Sequence, residues 1–213
     1  SLSKEQVEAL DNHEDELCIN TLDELSPDAA ASLAKQKRYK LHLIGDFEIT
    51  EEVASALCCM SDDIPLRIEP GKLSEVAARK LSQIKCSLGR MAIKAVDQTP
   101  ETIAALAMSG GNGTSLEINN LSLLTEPIAE ALATYKGDSL DLNPEELWEW
   151  QDRGSTEIKE ICEASAKAFA KFKGKTLNLP IEHISAKAAQ ELSQFEGELG
   201  LTGLHVLIVV EAD

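Results

Sequence analysis

The sequence predicts an α/β fold assembled from short repeats, each contributing one β-strand and one α-helix. Three observations lead to this prediction: a leucine-rich triplet recurs along the chain, a hydroxyl residue follows each triplet at a fixed distance, and apolar residues follow that hydroxyl at helical spacing. The chain has 213 residues, 43% of them hydrophobic but only 4% aromatic. Leu, Ala and Ile must therefore fill most of the core, which suits many small, equivalent layers.

The recurring triplet has apolar first and third residues, as expected for a short strand with two side chains facing a core and one facing out. The first residues of successive triplets are separated by 24, 25, 25, 25, 24, 37 and 22 residues. Six of these seven intervals agree within three residues, so they predict a repeat of roughly 24 residues. The eight triplets begin at Leu17, Leu41, Leu66, Met91, Leu116, Leu140, Leu177 and Leu199.

A helix is predicted after most triplets. Ser or Thr is the preferred residue at a helix N-cap, and apolar residues four and seven positions later then form one buried stripe. The predicted caps are Ser26, Thr50, Ser74, Thr99, Thr125 and Ser185, and the leucines that end the stripes are Leu33, Leu57, Leu81, Leu106, Leu132 and Leu192. Glycines after the helices predict left-handed helix stops at Gly113, Gly137, Gly174 and Gly197.

The triplets and the apolar residue that follows several of them, as at Leu22 and Leu121, resemble the leucine-rich-repeat family over nearly the whole chain. The Asn or Cys that the family carries after the strand is absent, since Asp46 and Gly71 stand at two of those positions, so the chain resembles a divergent variety. The resemblance implies a curved solenoid with a parallel β-sheet on the concave face and one α-helix per repeat on the convex face. It also implies binding of a protein or ligand.

The predicted organisation is a single solenoid domain over residues 1–213. A partial unit occupies residues 1–16, repeats start near residues 17, 41, 66, 91, 116, 140 and 177, and residues 199–213 form a C-terminal edge strand or cap. The long interval holds an insertion at about residues 147–160. A doubly wound sheet also alternates strands and helices, but it needs longer strands and no strict period.

The outward residues of the triplets predict a docking surface on the concave face. Basic residues cluster on the second to fourth units, and carboxylates and amides follow on the fifth to seventh, so the charge of this surface would orient a partner. These candidate residues are Lys40, His42, Arg67, Arg90 and Lys94, followed by Glu117, Asn119, Asp141, Asn143 and Asn178. The alternative is an ordinary solvated sheet face.

Both tryptophans of the chain, Trp148 and Trp150, lie in the insertion. Tryptophan is favoured as an interface anchor, and insertions in repeat arrays often lie on a binding side. We therefore expect these two rings to anchor a partner, the alternative being that they pack against the flank of the array.

Charge and motifs exclude several classes of function. The net charge of −17 at pH 7 disfavours nucleic acids and anionic membranes as partners. The five cysteines form no CxxC pair, and neither a nucleophile elbow nor a phosphate-binding loop occurs, so we expect no enzyme activity, cofactor or metal. No signal peptide and no membrane-length apolar run is visible, which favours a cytoplasmic location.

The sequence therefore predicts a non-enzymatic recognition module that binds a protein or peptide on its concave face. The alternative function is a structural spacer array without a specific ligand. The C-terminal run 204–210 is rich in β-branched residues and nearly uncharged, so it predicts a strand that caps the array. The alternative for this run is that it forms an edge through which two copies of the chain make a homodimer.

Overall fold

The computed structural model describes residues 2–10, 16–36, 40–60, 66–83, 91–94, 99–108, 115–119, 121, 124–142, 158 and 160–202. Strands and helices alternate along this part of the chain. In order, the elements are α1 (Lys4–Ala9), β1 (Leu17–Ile19), α2 (Pro27–Lys35), β2 (Leu41–Ile44), β3 (Glu48–Ile49), α3 (Glu51–Leu57), β4 (Leu66–Glu69), β5 (Lys72–Leu73), α4 (Glu75–Leu81), β6 (Met91–Lys94), α5 (Pro100–Ala107), β7 (Ser115–Asn119), α6 (Glu126–Ala133), β8 (Ser139–Asp141), β9 (Glu160–Ile161), α7 (Glu163–Phe169), β10 (Thr176–Leu179), β11 (His183–Ile184), α8 (Ala186–Leu192) and β12 (Glu198–Leu201).

The eight longer strands pair in parallel and in chain order. One sheet has the order β1-β2-β4, a second has the order β6-β7-β8-β10-β12, and β4 contacts β6 where the two sheets meet. Each described pair joins the first residues of two triplets, as Leu17 with Leu41 and Leu140 with Leu177. The predicted alignment of the triplets is thus confirmed, and the chain has an α/β fold with parallel sheets.

The direct pairing of β8 with β10 explains the long sequence interval. Leu140 lies opposite Leu177 although 37 residues separate them, so the extra residues add no strand between these two neighbours in the sheet. They are an insertion between adjacent units, as the spacing of the triplets predicts. Most of that insertion, with Trp148 and Trp150, lies outside the described residues.

A second set of very short strands lies just before the helices. β3 pairs in parallel with β5, β9 pairs with β11, and Leu2 forms an isolated bridge with Leu25. The apolar residue directly before the cap belongs to this second ladder in several units, as at Leu25, Ile49 and Leu73. The ladder satisfies backbone groups where the chain passes from strand to helix.

The helices begin and pack as the repeat predicts. All six predicted hydroxyl caps accept a hydrogen bond from the backbone N–H three residues later. All six predicted leucines are buried, with 0–2% of their surface exposed, and each helix contacts the next helix in the chain. The core therefore runs between the row of strands and the row of helices.

Among the described helices that follow a triplet, α7 is the one without a predicted cap. Its N-cap is Cys162, whose sulfur accepts a hydrogen bond from the backbone N–H of Ser165. Ala166 and Phe169 then occupy the buried positions that Ala and Leu hold in the other helices. This cap was not predicted because Cys replaces the hydroxyl and Phe replaces the leucine, although the spacing of four and seven residues is kept.

The prediction of left-handed glycine stops is wrong for Gly137, Gly174 and Gly197. None of the three has a positive φ. Each follows an aromatic residue by two positions, and a Cβ atom on the glycine would collide with that ring. Glycine is therefore required for close packing, while Gly113 lies outside the described residues.

The rings concerned, Tyr135, Phe172 and Phe195, are buried and form a stack at the turns between helix and strand. Their centroids are separated by 6.4 Å and 5.9 Å, with interplanar angles of 18° and 15°. Stacked aromatic pairs contribute about 0.5–1.5 kcal/mol each beyond the burial of their area. This stack therefore ties three consecutive turns together. Within the described part of the chain, no helix is both long enough and apolar enough to cross a membrane.

Candidate functional site

The parallel pairing of the strands places the middle residues of successive triplets side by side. Cys18 lies opposite His42, which lies opposite Arg67, and in the second sheet Glu117 lies opposite Asp141, which lies opposite Asn178. We call this row the central column. Its side chains leave the sheet on the face opposite the buried leucines, because successive residues of a strand point to opposite faces.

The basic residues at the first three strands are paired with carboxylates of the same chain. Glu16 lies 3.3 Å from Nδ1 of His42 through one oxygen and 3.9 Å from Nζ of Lys40 through the other. Arg67 donates from Nε and Nη2 to Oε1 of Glu69, at 2.8 Å and 2.5 Å. Among the described residues of the predicted basic zone, Lys40 and Arg67 therefore form ion pairs within the chain, and His42 contacts the same carboxylate as Lys40.

Arg67 is also largely removed from solvent, with 7% of its surface exposed. A buried ion pair gains little net stability, but breaking one by removing a single partner is costly because it leaves an unpaired charge. The contacts with Glu69 therefore hold Arg67 in place, and an acidic partner would have to compete with Glu69 for the guanidinium. Lys40 is exposed and can reach a partner more easily.

The environment of the cluster shifts two pKa values. Burial lowers the pKa of His42 below its ordinary value of 6.5, and the neighbouring Arg67 lowers it further, while Glu16 acts in the opposite direction. Burial and the carboxylate of Glu16 raise the pKa of the Cys18 thiol. Its thiol donates to Oδ1 of Asn20 at 3.3 Å. Cys18 is therefore less readily ionised than an ordinary thiol, and thiolate chemistry has no support at this position.

The second zone carries carboxylates and an amide. Nδ2 of Asn178 donates to Oδ2 of Asp141 at 3.0 Å, which links β10 to β8 through their side chains. Glu117, on the neighbouring strand, is buried with 6% of its surface exposed. Gly200 follows Asn178 in the column, and a Cβ atom there would meet Oδ1 of Asn178. Among the described side chains of this zone, the half-buried Asp141 and Asn178 are thus the polar groups that a partner can reach.

The remaining predicted residues divide into two groups. Lys94 and Asn119 occupy paired positions on β6 and β7, at the end of the first zone. Arg90, Asn143, Trp148 and Trp150 lie outside the described residues, so their roles stay predictions. The structure thus brings Lys40, His42 and Arg67 together on one sheet and Glu117, Asp141 and Asn178 together on the other.

The pairing of the basic residues with two carboxylates, Glu16 and Glu69, was not predicted from the sequence. Glu69 follows Arg67 by two residues on the same strand, so the two side chains lie on one face of the sheet. Glu16 directly precedes β1, where the backbone N–H of Leu17 donates to the carbonyl of Lys40. The two-residue period of the strand would have identified Glu69, whereas Glu16 needed the pairing of the strands.

No group of three or more His, Cys, Asp or Glu residues could hold a metal ion within the part of the chain that the structure describes. Four of the five cysteines, Cys18, Cys58, Cys59 and Cys162, are described, and all four are free thiols. No family model, curated protein or solved structure matches the chain.

Proposed function

We propose that the chain is a solenoid of the leucine-rich-repeat type that acts as a non-enzymatic recognition module. It binds a protein or peptide on the face that carries the central column, which is the concave face of such a solenoid. The observation that carries the proposal is the alignment of the outward residues of consecutive strands. That alignment places the charged residues of the first sheet side by side, and it places a carboxylate and amide pair side by side in the second sheet.

Three features of the described residues support this proposal. The strands follow one another in chain order and the helices do the same, as in a linear array of repeats. The outward side chains of Cys18, Lys40 and Asp141 are exposed or half-buried. The hydrogen bond between Asn178 and Asp141 holds these two polar groups in place before a partner arrives, which reduces the ordering cost of binding.

The alternative function is a structural spacer array whose surface binds no specific ligand. The ion pairs of Glu16 with Lys40 and of Glu69 with Arg67 favour this alternative at the first three strands, because they neutralise these two cations within the chain itself. The proposed recognition surface therefore centres on Asp141 and Asn178, with Lys40 as the exposed contact at the other end.

The test is capture of a partner from native extract with matched surface variants. The first variant is Asp141→Arg with Asn178→Arg, which alters the column. The control is Glu48→Arg with Ser55→Arg, two exposed positions away from the column that give the same change in charge. We expect a protein that is captured by the wild type and by the control but not by the column variant, and that binds the wild type directly once purified.

Equal loss of the captured protein in both variants would reflect general electrostatics, and equal retention would place the binding surface elsewhere on the chain. Both outcomes contradict the proposal. If the wild type captures no partner that binds it directly, the spacer array is the better explanation. Thermal unfolding of both variants must first show that each remains folded.

A further inference from the structure

A cluster of lysines lies in the turns that lead from a helix to the next strand. Residues 164–181 contain four lysines and no Asp or Glu, in a chain with a net charge of −17. Three of these lysines, Lys171, Lys173 and Lys175, lie in the turn between α7 and β10, and all three are exposed. Lys136 is exposed at the equivalent place in the neighbouring turn between α6 and β8. We call these four residues the lysine patch.

The aromatic stack fixes the two turns that carry the patch. Tyr135 precedes Lys136, and Phe172 precedes Lys173, and the rings of Tyr135 and Phe172 are stacked at 6.4 Å. Gly137 and Gly174 allow the rings to fold closely against their own turns. The backbone beneath the lysines is therefore rigid, so that only the lysine side chains lose freedom when a ligand binds.

The patch has clear limits. In the next turn, between α8 and β12, Glu196 stands where Lys136 and Lys173 stand in the other two turns. Lys175 is already paired with Asp138, with Nζ 2.5 Å from Oδ2, and the next equivalent position is Glu198. The positive surface therefore covers two turns, with Lys136, Lys171 and Lys173 as its main charges, and acidic side chains border it.

We propose that the lysine patch is a second interaction surface, separate from the central column, and that it binds a short acidic segment of a protein partner. The carboxylates of such a segment would contact Lys136, Lys171 and Lys173. A long polyanion such as a nucleic acid fits less well, because it would extend beyond two turns into the field of a strongly acidic protein. The patch also contains no arginine, the residue whose planar guanidinium suits phosphate best.

The test is binding of a fluorescein-labelled oligoglutamate peptide, measured by fluorescence anisotropy at low salt. The variant is Lys171→Glu with Lys173→Glu, and the matched control is Lys35→Glu with Lys72→Glu, two exposed lysines elsewhere. We expect the patch variant to bind about tenfold more weakly, because a few exposed ion pairs together supply about 1.4 kcal/mol. The control should stay within about twofold of the wild type, and added salt should weaken binding by the wild type.

A neutral variant, Lys171→Gln with Lys173→Gln, separates loss of attraction from added repulsion. Its affinity for the peptide should lie between the affinities of the wild type and the patch variant. Equal weakening in the patch variant and the control would overturn the proposal, as would absence of peptide binding by the wild type at low salt. Tighter binding of a single-stranded oligonucleotide through the same lysines would overturn the choice of partner. None of these measurements uses a variant of the central column. Failure of the lysine-patch proposal would therefore leave the recognition function proposed above untouched, and failure of that function would leave the patch untouched.

Discussion

At the scale of single residues, His42 shows how the sheet face sets the charge of its own side chains. Its imidazole lies between Glu16 on one side and the guanidinium of Arg67 on the next strand, with Lys40 and Glu69 nearby. Burial lowers its pKa more than Glu16 raises it. The folded chain therefore prefers neutral His42, so that the charge of this cluster at neutral pH comes from Lys40, Arg67 and their two carboxylates.

The lowered pKa of His42 predicts a pH dependence of stability. A histidine whose pKa is lower in the folded state contributes stability above its unfolded value of 6.5, and this contribution is lost as the pH falls through the folded value. The unfolded chain binds the proton first, so the free energy of unfolding should fall below pH 6.5. His42→Gln should remove this part of the loss, measured by urea unfolding on either side of pH 6.5. The carboxylates of the chain titrate in both proteins and so cancel in the comparison.

Glu16→Gln provides a second measurement on the same side chain. It removes the carboxylate that raises the pKa of His42 most, so NMR titration should give a lower pKa for His42 in that variant. An unchanged or higher pKa would show that Glu16 does not interact with the imidazole in solution.

The cap at Cys162 gives a prediction about helix stability. A thiol is a weaker hydrogen-bond acceptor than a hydroxyl, and Ser is among the best N-cap residues. Cys162→Ser should therefore raise the free energy of unfolding, by on the order of 0.5 kcal/mol, whereas Thr50→Ala should lower it by about 0.5–2 kcal/mol. Thermal and urea unfolding would measure both. A loss of stability in Cys162→Ser would mean that packing of the sulfur outweighs its role as a cap.

At the scale of elements, the sequence predicted the helices and strands well, because each unit is specified by local chemistry that recurs. A hydroxyl at the N-cap followed by buried residues at positions four and seven identifies a helix wherever it occurs, as from Thr50 to Leu57. The helix after Cys162 has the same spacing with different residue types, so its cap could not be predicted from Ser, Thr and Leu alone. The short strands before the helices have only two residues each, too few to show the alternation of a strand, and they became visible only from their pairing.

The candidate site was predicted less completely than the fold. The alignment of the triplets placed His42 beside Arg67 and Asp141 beside Asn178, as the structure has them. Which charges are paired depends on how long side chains reach between neighbouring strands. The order of residues in the central column does not show how far each side chain reaches. The pairing of Glu16 with both Lys40 and His42 was therefore not predicted.

The turns with an aromatic residue and a glycine give a prediction at this scale. Gly174→Ala places a Cβ atom against the ring of Phe172 and close to the backbone carbonyl of Asp138, 2.8 Å away. Because the ring is stacked on both sides, it cannot move without disturbing Tyr135 and Phe195. We expect a loss of about 1–3 kcal/mol in the free energy of unfolding, as for other overpacked cores.

Gly200→Ala is the matched control for this substitution. Its added Cβ atom meets the end of the Asn178 side chain, which can rotate away. Its loss in urea unfolding should therefore be smaller than that of Gly174→Ala. If the two losses are equal, close packing against the rings is not what requires glycine in these turns.

At the scale of the whole molecule, the last described unit lacks the cover that each earlier unit receives from its neighbour. The alanine three residues before the final leucine of the helix is buried at Ala30, Ala54, Ala78 and Ala129, but the equivalent Ala189 in α8 is exposed. Leu199 and Leu201 in β12 are half-buried, whereas Leu177 and Leu179 in the neighbouring strand are fully buried. A solenoid of the type proposed above needs a cap at such an end.

The sequence prediction for the run 204–210 addresses this end, and it stays a prediction because the run lies outside the described residues. If the run caps the array, Val206→Lys with Ile208→Lys should lower the free energy of unfolding by on the order of 3 kcal/mol, since burial of each branched side chain contributes about 1.5–3 kcal/mol. Ser193→Lys with Gln194→Lys adds the same charge at exposed positions of the same unit and should change stability little. Light scattering on all three proteins should show one unchanged mass. A wild-type dimer that the first variant dissociates would instead support the homodimer alternative, and equal stability and mass in all three would exclude both roles for the run.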